Sequence, residues 1–138
     1  MAIGLVELLS GRGFVPDGKR VKLIRHKDAR WNVDALRKEG WFETYQQYQS
    51  KPVFDGCDRI VVFIGEEGRN ARFGGVYGVG SKVPSQERPL PPDCPYPEWG
   101  EGKFFYPLTK HPAFADLEDR VIIDRGRGRW HGISGSRI

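Results

Sequence analysis

The stretch WFETYQQYQSKPVFDGCDRIVVFIGEEGRNARFGGVYGV, residues 41–79, decides how this chain folds. Trp41, Phe42, Tyr45 and Tyr48 recur at spacings of one, three and three, which places them on one face of a helix over residues 41–49. Such a face must lie on apolar surface. The candidate follows at once, because Ile60, Val61, Val62, Phe63 and Ile64 form the continuous apolar run of a strand buried on both sides. Residues 65–70 then supply turn chemistry and charge, and residues 73–79 resume as a strand loosened by Gly74, Gly75 and Gly78. Glycines inside a strand mark a bulge, a barrel corner or a place where a ligand approaches the backbone.

Outward toward the N-terminus, residues 3–9 read as one or two helical turns that stop at Ser10 and Gly11. Residues 21–24 are a short strand that runs into the charged string Arg25-His26-Lys27-Asp28-Ala29-Arg30. Asn32 can cap a short helix through Ala35, Leu36 and Arg37, which Gly40 ends. Outward toward the C-terminus, residues 81–102 hold six prolines. Proline fixes φ and removes a donor, so this segment is neither helix nor central strand. The chain on either side is too short for two good cores, so the expectation is one domain over residues 1–138 with 81–102 as a proline-rich surface loop. Residues 103–106 read as a strand, 107–111 as a turn and 121–123 as a last strand, followed by a basic, glycine-rich tail.

A chain of 138 residues can bury a proper core without disulfides or metals, and Cys57 and Cys94 make no disulfide framework. The opening MAIGLVELLSGRG has no basic n-region and carries an early Glu7, so neither a signal peptide nor an anchor is expected. Nothing approaches the ~18 consecutive apolar residues of a membrane helix. The expectation is a soluble, cytoplasmic protein with no membrane partner. The formal net charge is +4, and it is unevenly spread: residues 1–31 carry seven Lys/Arg against three acids, residues 120–138 five against one, and the middle is acidic. Two basic ends can form a single polyanion-binding face if the fold brings them together.

Zinc chemistry needs His and Cys at short, regular spacings, whereas His26, His111, His131, Cys57 and Cys94 stand singly. No metal and no cofactor is expected. Pro92-Asp93 with Glu101-Gly102-Lys103 matches the outline of a PD-(D/E)xK nuclease, in which acids hold a divalent metal and a lysine helps activate water. That chemistry needs the acids fixed on adjacent strands, and here they flank a proline-rich loop. A metal-dependent nuclease on Asp93, Glu101 and Lys103 is therefore an alternative, and a protein-interaction module using the proline-rich loop is another. Nucleic-acid binding has more behind it. Arg25, His26 and Lys27, Arg30 with Trp31, and Arg125, Arg127, Arg129, Trp130 and His131 interleave cations with stacking groups. Cations hold phosphates while aromatic faces accept bases, and Tyr48 and Gln49 at the end of the expected helix extend the same set. Buried Tyr and Trp need partners for their polar atoms, which favours at least one of Trp41, Tyr45 and Tyr48 lining a cleft.

Residues 21–28, 41–49, 58–65, 71–79 and 117–124 taken in order resemble the N-terminal region of bacterial GIY-YIG nuclease-family proteins. Those proteins place such a region ahead of a nuclease domain, so the resemblance implies a nuclease supplied in cis or in trans, with none expected within these 138 residues. Gly75-Val76-Tyr77 matches half of the GIY-YIG motif itself, but serine, lysine and proline stand where the second half belongs. The layout is also similar to the EVE and YTH domains of the PUA superfamily, to which SRA domains are related: Tyr45-Gln46 sits where EVE and YTH domains carry a helical Tyr-Gln pair, and Gly56-Cys57-Asp58 where they carry a Gly-Asp turn, with Cys57 as one extra residue. Such domains take a flipped, often methylated base into an aromatic pocket on a small β-barrel. The resemblance implies an α+β fold, a small PUA-like barrel flanked by short helices, with a base pocket at Trp41, Tyr45, Phe63 and His26 and Lys27 at its rim. The expected activity is non-enzymatic recognition of double-stranded DNA carrying a modified base, as the specificity module of a restriction-type nuclease.

Overall fold

The computed structural model describes residues 2–13, 20–26, 33–64, 70–118, 120, 122–124 and 133–137. Its centre is strand β4 (Arg59–Ile64), in which all five residues of the apolar run are buried. A continuous apolar strand needs cover on both faces, and it has it. β4 pairs in parallel with β2 (Val21–His26) and antiparallel with the ten-residue β5 (Asn70–Val79). Beyond β2 lies β10 (Ile133–Arg137), again parallel, and beyond β5 lie β8 (Leu108–Lys110) and β9 (Ile122–Asp124), with β1 (Ala2–Gly4) parallel to β9.

Alternation along the strands divides the core in two. On one face Val61, Phe63, Phe73 and Val76 pack with Leu8 and Leu9 of helix α1 (Leu5–Gly11) and with Phe114 of the 3₁₀ turn Pro112–Leu117. On the other face Ile60, Val62, Ile64 and Tyr77 meet Val33 and Leu36 of α2 (Val33–Glu39), Phe42 of α3 (Phe42–Gln47), and Phe54, Trp99 and Tyr106. Full burial of each such aliphatic or phenyl side chain stabilises the fold by about 1.5–3 kcal/mol.

The sequence expectation of a mixed α+β architecture holds. The strand path β1-β9-β5-β4-β2-β10 has two ends, and β1 and β10 do not pair with each other, so the described strands form an open sheet rather than a closed barrel. A separate three-stranded sheet joins β3 (Tyr48–Gln49), β7 (Phe104–Phe105) and β6 (Val83–Pro84). The expected helix over residues 41–49 is therefore shorter: Trp41 sits at its N-cap, Gln47 is its last residue, and Tyr48 and Gln49 turn into β3 opposite Phe105 and Phe104. Residues 107–111, expected as a turn, include β8, because β5 is long enough to pair with a second strand through Tyr77, Gly78 and Val79.

The proline-rich segment is more ordered than a surface loop. Pro84 lies on an edge strand, where its missing N–H costs no ladder bond, and two 3₁₀ turns, Ser85–Glu87 and Pro97–Glu101, follow. Trp99, only 8% exposed, carries the second turn into the core, and Leu90, Cys94 and Tyr96 pack beside it. Tyr48 Oη donates to Arg88 O and Tyr96 Oη donates to Glu39 Oε2 at 3.0 Å, tying the segment to β3 and α2.

The glycines of β5 make a bulge, as glycines in a strand can. The β4–β5 register shifts between Val62 and Phe63, leaving Gly74 as the extra residue between Gly75 and Phe73. A Cβ on Gly74 would stand 2.9 Å from Val62 Cγ1, and Gly75 has φ +124°, where a Cβ would also stand 3.3 Å from Glu118 Cδ. Gly75→Ala is expected to lower unfolding free energy by about 1–3 kcal/mol, the usual cost of such backbone strain, measured by urea denaturation. An unchanged midpoint would contradict this geometry.

Candidate nucleic-acid interface

Strand β2 ends at His26, directly above helix α3. His26 is 1% exposed and Gln46 of α3 is 0% exposed, and His26 Nε2 lies 3.0 Å from Gln46 Oε1. A carboxamide oxygen can only accept, so Nε2 carries the imidazole proton and Nδ1 is left as a bare acceptor. Neither His26 Nδ1 nor Gln46 Nε2 has a hydrogen-bond partner among the described residues, and both atoms are buried. Burial draws the His26 pKa down to about 4; the bond to Gln46 opposes this and the Arg37 charge adds to it, so the ring is neutral at physiological pH.

Aromatic rings continue from this pair toward the proline-rich segment. The Tyr45 ring is 5.7 Å from His26 on one side and 5.5 Å from Trp99 on the other, and Trp99 stacks on Tyr96 at 4.5 Å. Phe42 meets His26 edge-on at 5.1 Å, and the Arg37 guanidinium lies 4.9 Å from the Phe42 ring. Trp41 and Tyr45 are half-buried, so this cluster of planar groups reaches the surface on α3. The cluster thus joins one buried polar pair to a row of packed aromatic rings.

Of the expected pocket residues, the structure brings His26, Tyr45 and Trp41 to this face of the sheet and does not bring Phe63. The Phe63 side chain is 1% exposed and points to the opposite face, among Leu8, Phe73 and Phe114. Neighbouring strand residues face opposite ways, and Ile64 and Val62 hold the face toward α3. Tyr48 and Gln49 are occupied within the protein: the Tyr48 ring meets Phe105 edge-on at 5.1 Å, and Gln49 Nε2 donates to Gln46 O at 2.7 Å. Arg25 lies on β2 in register with Phe63 of β4 and Arg137 of β10. Lys27, Arg30, Trp31, Arg125, Arg127, Arg129, Trp130 and His131 lie outside the described residues. The parallel pairing of β10 with β2 does set the C-terminal strand beside the strand that leads into Lys27.

Sequence reading missed Gln46 and Trp99 as site residues. Trp99 had a signal, a large aromatic residue amid prolines that must be buried somewhere. It also missed a charged cluster on the same face. Lys110 Nζ lies 3.1 Å from Glu118 Oε1 and 3.4 Å from Glu43 Oε1, Arg37 is 3.4 Å from Glu118 Oε1, and Tyr77 Oη donates to Glu43 at 3.1 Å. Burial, then the Glu43 and Glu118 carboxylates, push the Tyr77 hydroxyl above its ordinary pKa. Burial works against the Lys110 charge, but Glu118 and Glu43 outweigh it and raise its pKa. Two cations on two carboxylates neutralise each other, and the cluster ties β8 to α3.

Asp93, Glu101 and Lys103 are all exposed and none lies on a strand: the two acids belong to the proline-rich segment and Lys103 directly precedes β7. No group of three His, Cys, Asp or Glu side chains able to hold a metal occurs among the described residues. No helix among them is long and apolar enough to cross a membrane. Comparison of the chain with protein-family models, curated proteins and solved structures gave no match in any of the three.

Proposed function

We propose that this protein is a non-enzymatic reader of DNA that takes an extruded, modified base into the ring cluster between α3 and the proline-rich segment, as a PUA-like module serving a restriction-type nuclease. One observation carries the reading: a fully buried His26–Gln46 pair whose Nδ1 acceptor and amide donors have no hydrogen-bond partner among the described residues. Leaving a buried polar atom without a partner costs about 1–3 kcal/mol, so two on one pair call for a ligand that satisfies both. The Watson–Crick edge of a nucleobase offers an exocyclic donor for His26 Nδ1 next to a ring or carbonyl acceptor for the Gln46 amide. Tyr45 and Trp99 supply ring faces for stacking, and Arg25 stands beside His26 on β2 with Lys27 and Arg30 next in the sequence.

The test uses Tyr45, the ring that stands between the polar pair and Trp99. Tyr45→Ala is expected to weaken binding of the preferred duplex by about 1–3 kcal/mol, with the dependence of log Kd on log salt unchanged, because a stack carries no charge. Melting is followed on the same Tyr45→Ala and Tyr45→Phe proteins, and binding is compared across duplexes with unmodified, methylated and hydroxymethylated cytosine or adenine. A folded Tyr45→Ala protein with the parent's affinity and the parent's preference among these duplexes would defeat the reading.

A further inference from the structure

On the opposite side of β5 from the ring cluster, the strand ends open a groove of about 400 Å³ whose lining includes Arg59, Gly78, Thr109, Lys110 and His111. Its lining contains three basic side chains and no carboxylate. The row is built by strand register: Arg59 of β4 stands opposite Gly78 of β5, and Gly78 stands opposite Thr109 of β8. With no side chain at Gly78, the Arg59 guanidinium lies across the strand, 3.4 Å from where a Cβ would be. It donates one N–H to Asp58 O at 2.9 Å, and a guanidinium has five to give. On the far wall, His111 Nδ1 accepts from Ala113 N at 3.2 Å, which fixes the proton on Nε2 and makes that atom a donor. Lys110 borders the groove too, but its ammonium is held by Glu118 and Glu43 on the other face of the sheet.

We infer that this groove is an oxyanion site that holds a backbone phosphodiester of the bound strand, with Arg59 as its main cation and the Thr109 hydroxyl as a neutral donor. A planar fork of donors over a glycine, with a hydroxyl on the neighbouring strand, is the chemistry that grips a phosphate while reading no base. The site lies on described residues and owes nothing to the two basic chain ends. It deepens the reading of the protein as a DNA-binding module, but it rests on different residues and can stand or fall separately.

The experiment has two arms. Binding of a duplex oligonucleotide is measured at several salt concentrations for the parent, Arg59→Ala and Arg59→Lys, with melting curves for each. The expected result is a several-fold loss of affinity for Arg59→Ala, the same for every sequence and modification, with the salt slope lower by about one, and a slope restored in Arg59→Lys. An unchanged slope in a folded Arg59→Ala protein would overturn the assignment. The second arm titrates the labelled protein with inorganic phosphate and follows the amide resonances of Gly78, Gly80 and Thr109. Shifts there that disappear in Arg59→Ala support the oxyanion site even if no duplex binds, in which case the DNA reading fails alone. Absence of such shifts overturns the site whatever Tyr45 variants do.

Discussion

Lowering the pH from 7 to 4 will remove about 3 kcal/mol of folding stability through His26 alone. The ring is buried on Gln46 and holds its pKa at about 4, whereas in the unfolded chain it titrates near 6.5. Between those values the unfolded state binds a proton that the folded state refuses, so stability rises with pH across this window. This component is fully present above about pH 6.5 and is lost as the pH falls through 6.5 toward 4, at about 1.36 kcal/mol per unit. Urea denaturation at pH 7, 5.5 and 4 measures the loss, and His26→Asn should flatten this part of the profile. A His26 resonance that titrates near 6.5 in the folded protein would refute the buried, neutral ring.

Phe63→Ala will destabilise the protein by about 3–5 kcal/mol and leave ligand preference untouched. The ring is 1% exposed among Leu8, Leu9, Phe73 and Phe114, so truncation removes its transfer energy and opens a cavity that rigid β-strands cannot fully close. The ring cluster at His26, Tyr45 and Trp99 is on the other side of β4, where Val62 and Ile64 hold the contact. Denaturant titration gives the stability, and competition between modified and unmodified duplexes at low temperature gives the preference. A variant of normal stability with altered preference would return Phe63 to the cluster.

Phe63 also shows where sequence reading stops. The run from Ile60 to Ile64 identifies a strand buried on both faces because every residue in it is apolar, but the same uniformity hides which residue faces which way. Only its partners, α3 on one side and α1 on the other, decide that. The aromatic spacing of α3 was legible, yet its C-terminal limit was not: Tyr48 continues the helical period by chance, and a two-residue strand such as β3 has no period of its own. Strand β10 has the composition of a loop, Ile-Ser-Gly-Ser-Arg, and becomes a strand only through its pairing with β2. The cations singled out at Arg25 and Arg30 were visible as charge, whereas the groove at Arg59 depends on Gly78 and Thr109, which become its neighbours only once three strands are aligned.

The two sides of the ring cluster around Tyr45 differ in how firmly they are held. Tyr45 and Gln46 belong to a helix packed on the central strands, whereas Trp99 belongs to a segment whose own strand pairs only with the small sheet. The segment is fastened by ring contacts and by single hydrogen bonds such as Tyr96 to Glu39. Units of this kind open locally at lower free energy than the core they lean on. The Trp99 segment can therefore lift while β2, β4 and β5 stay paired, and hydrogen exchange in residues 94–102 would be governed by that opening rather than by unfolding of the whole chain.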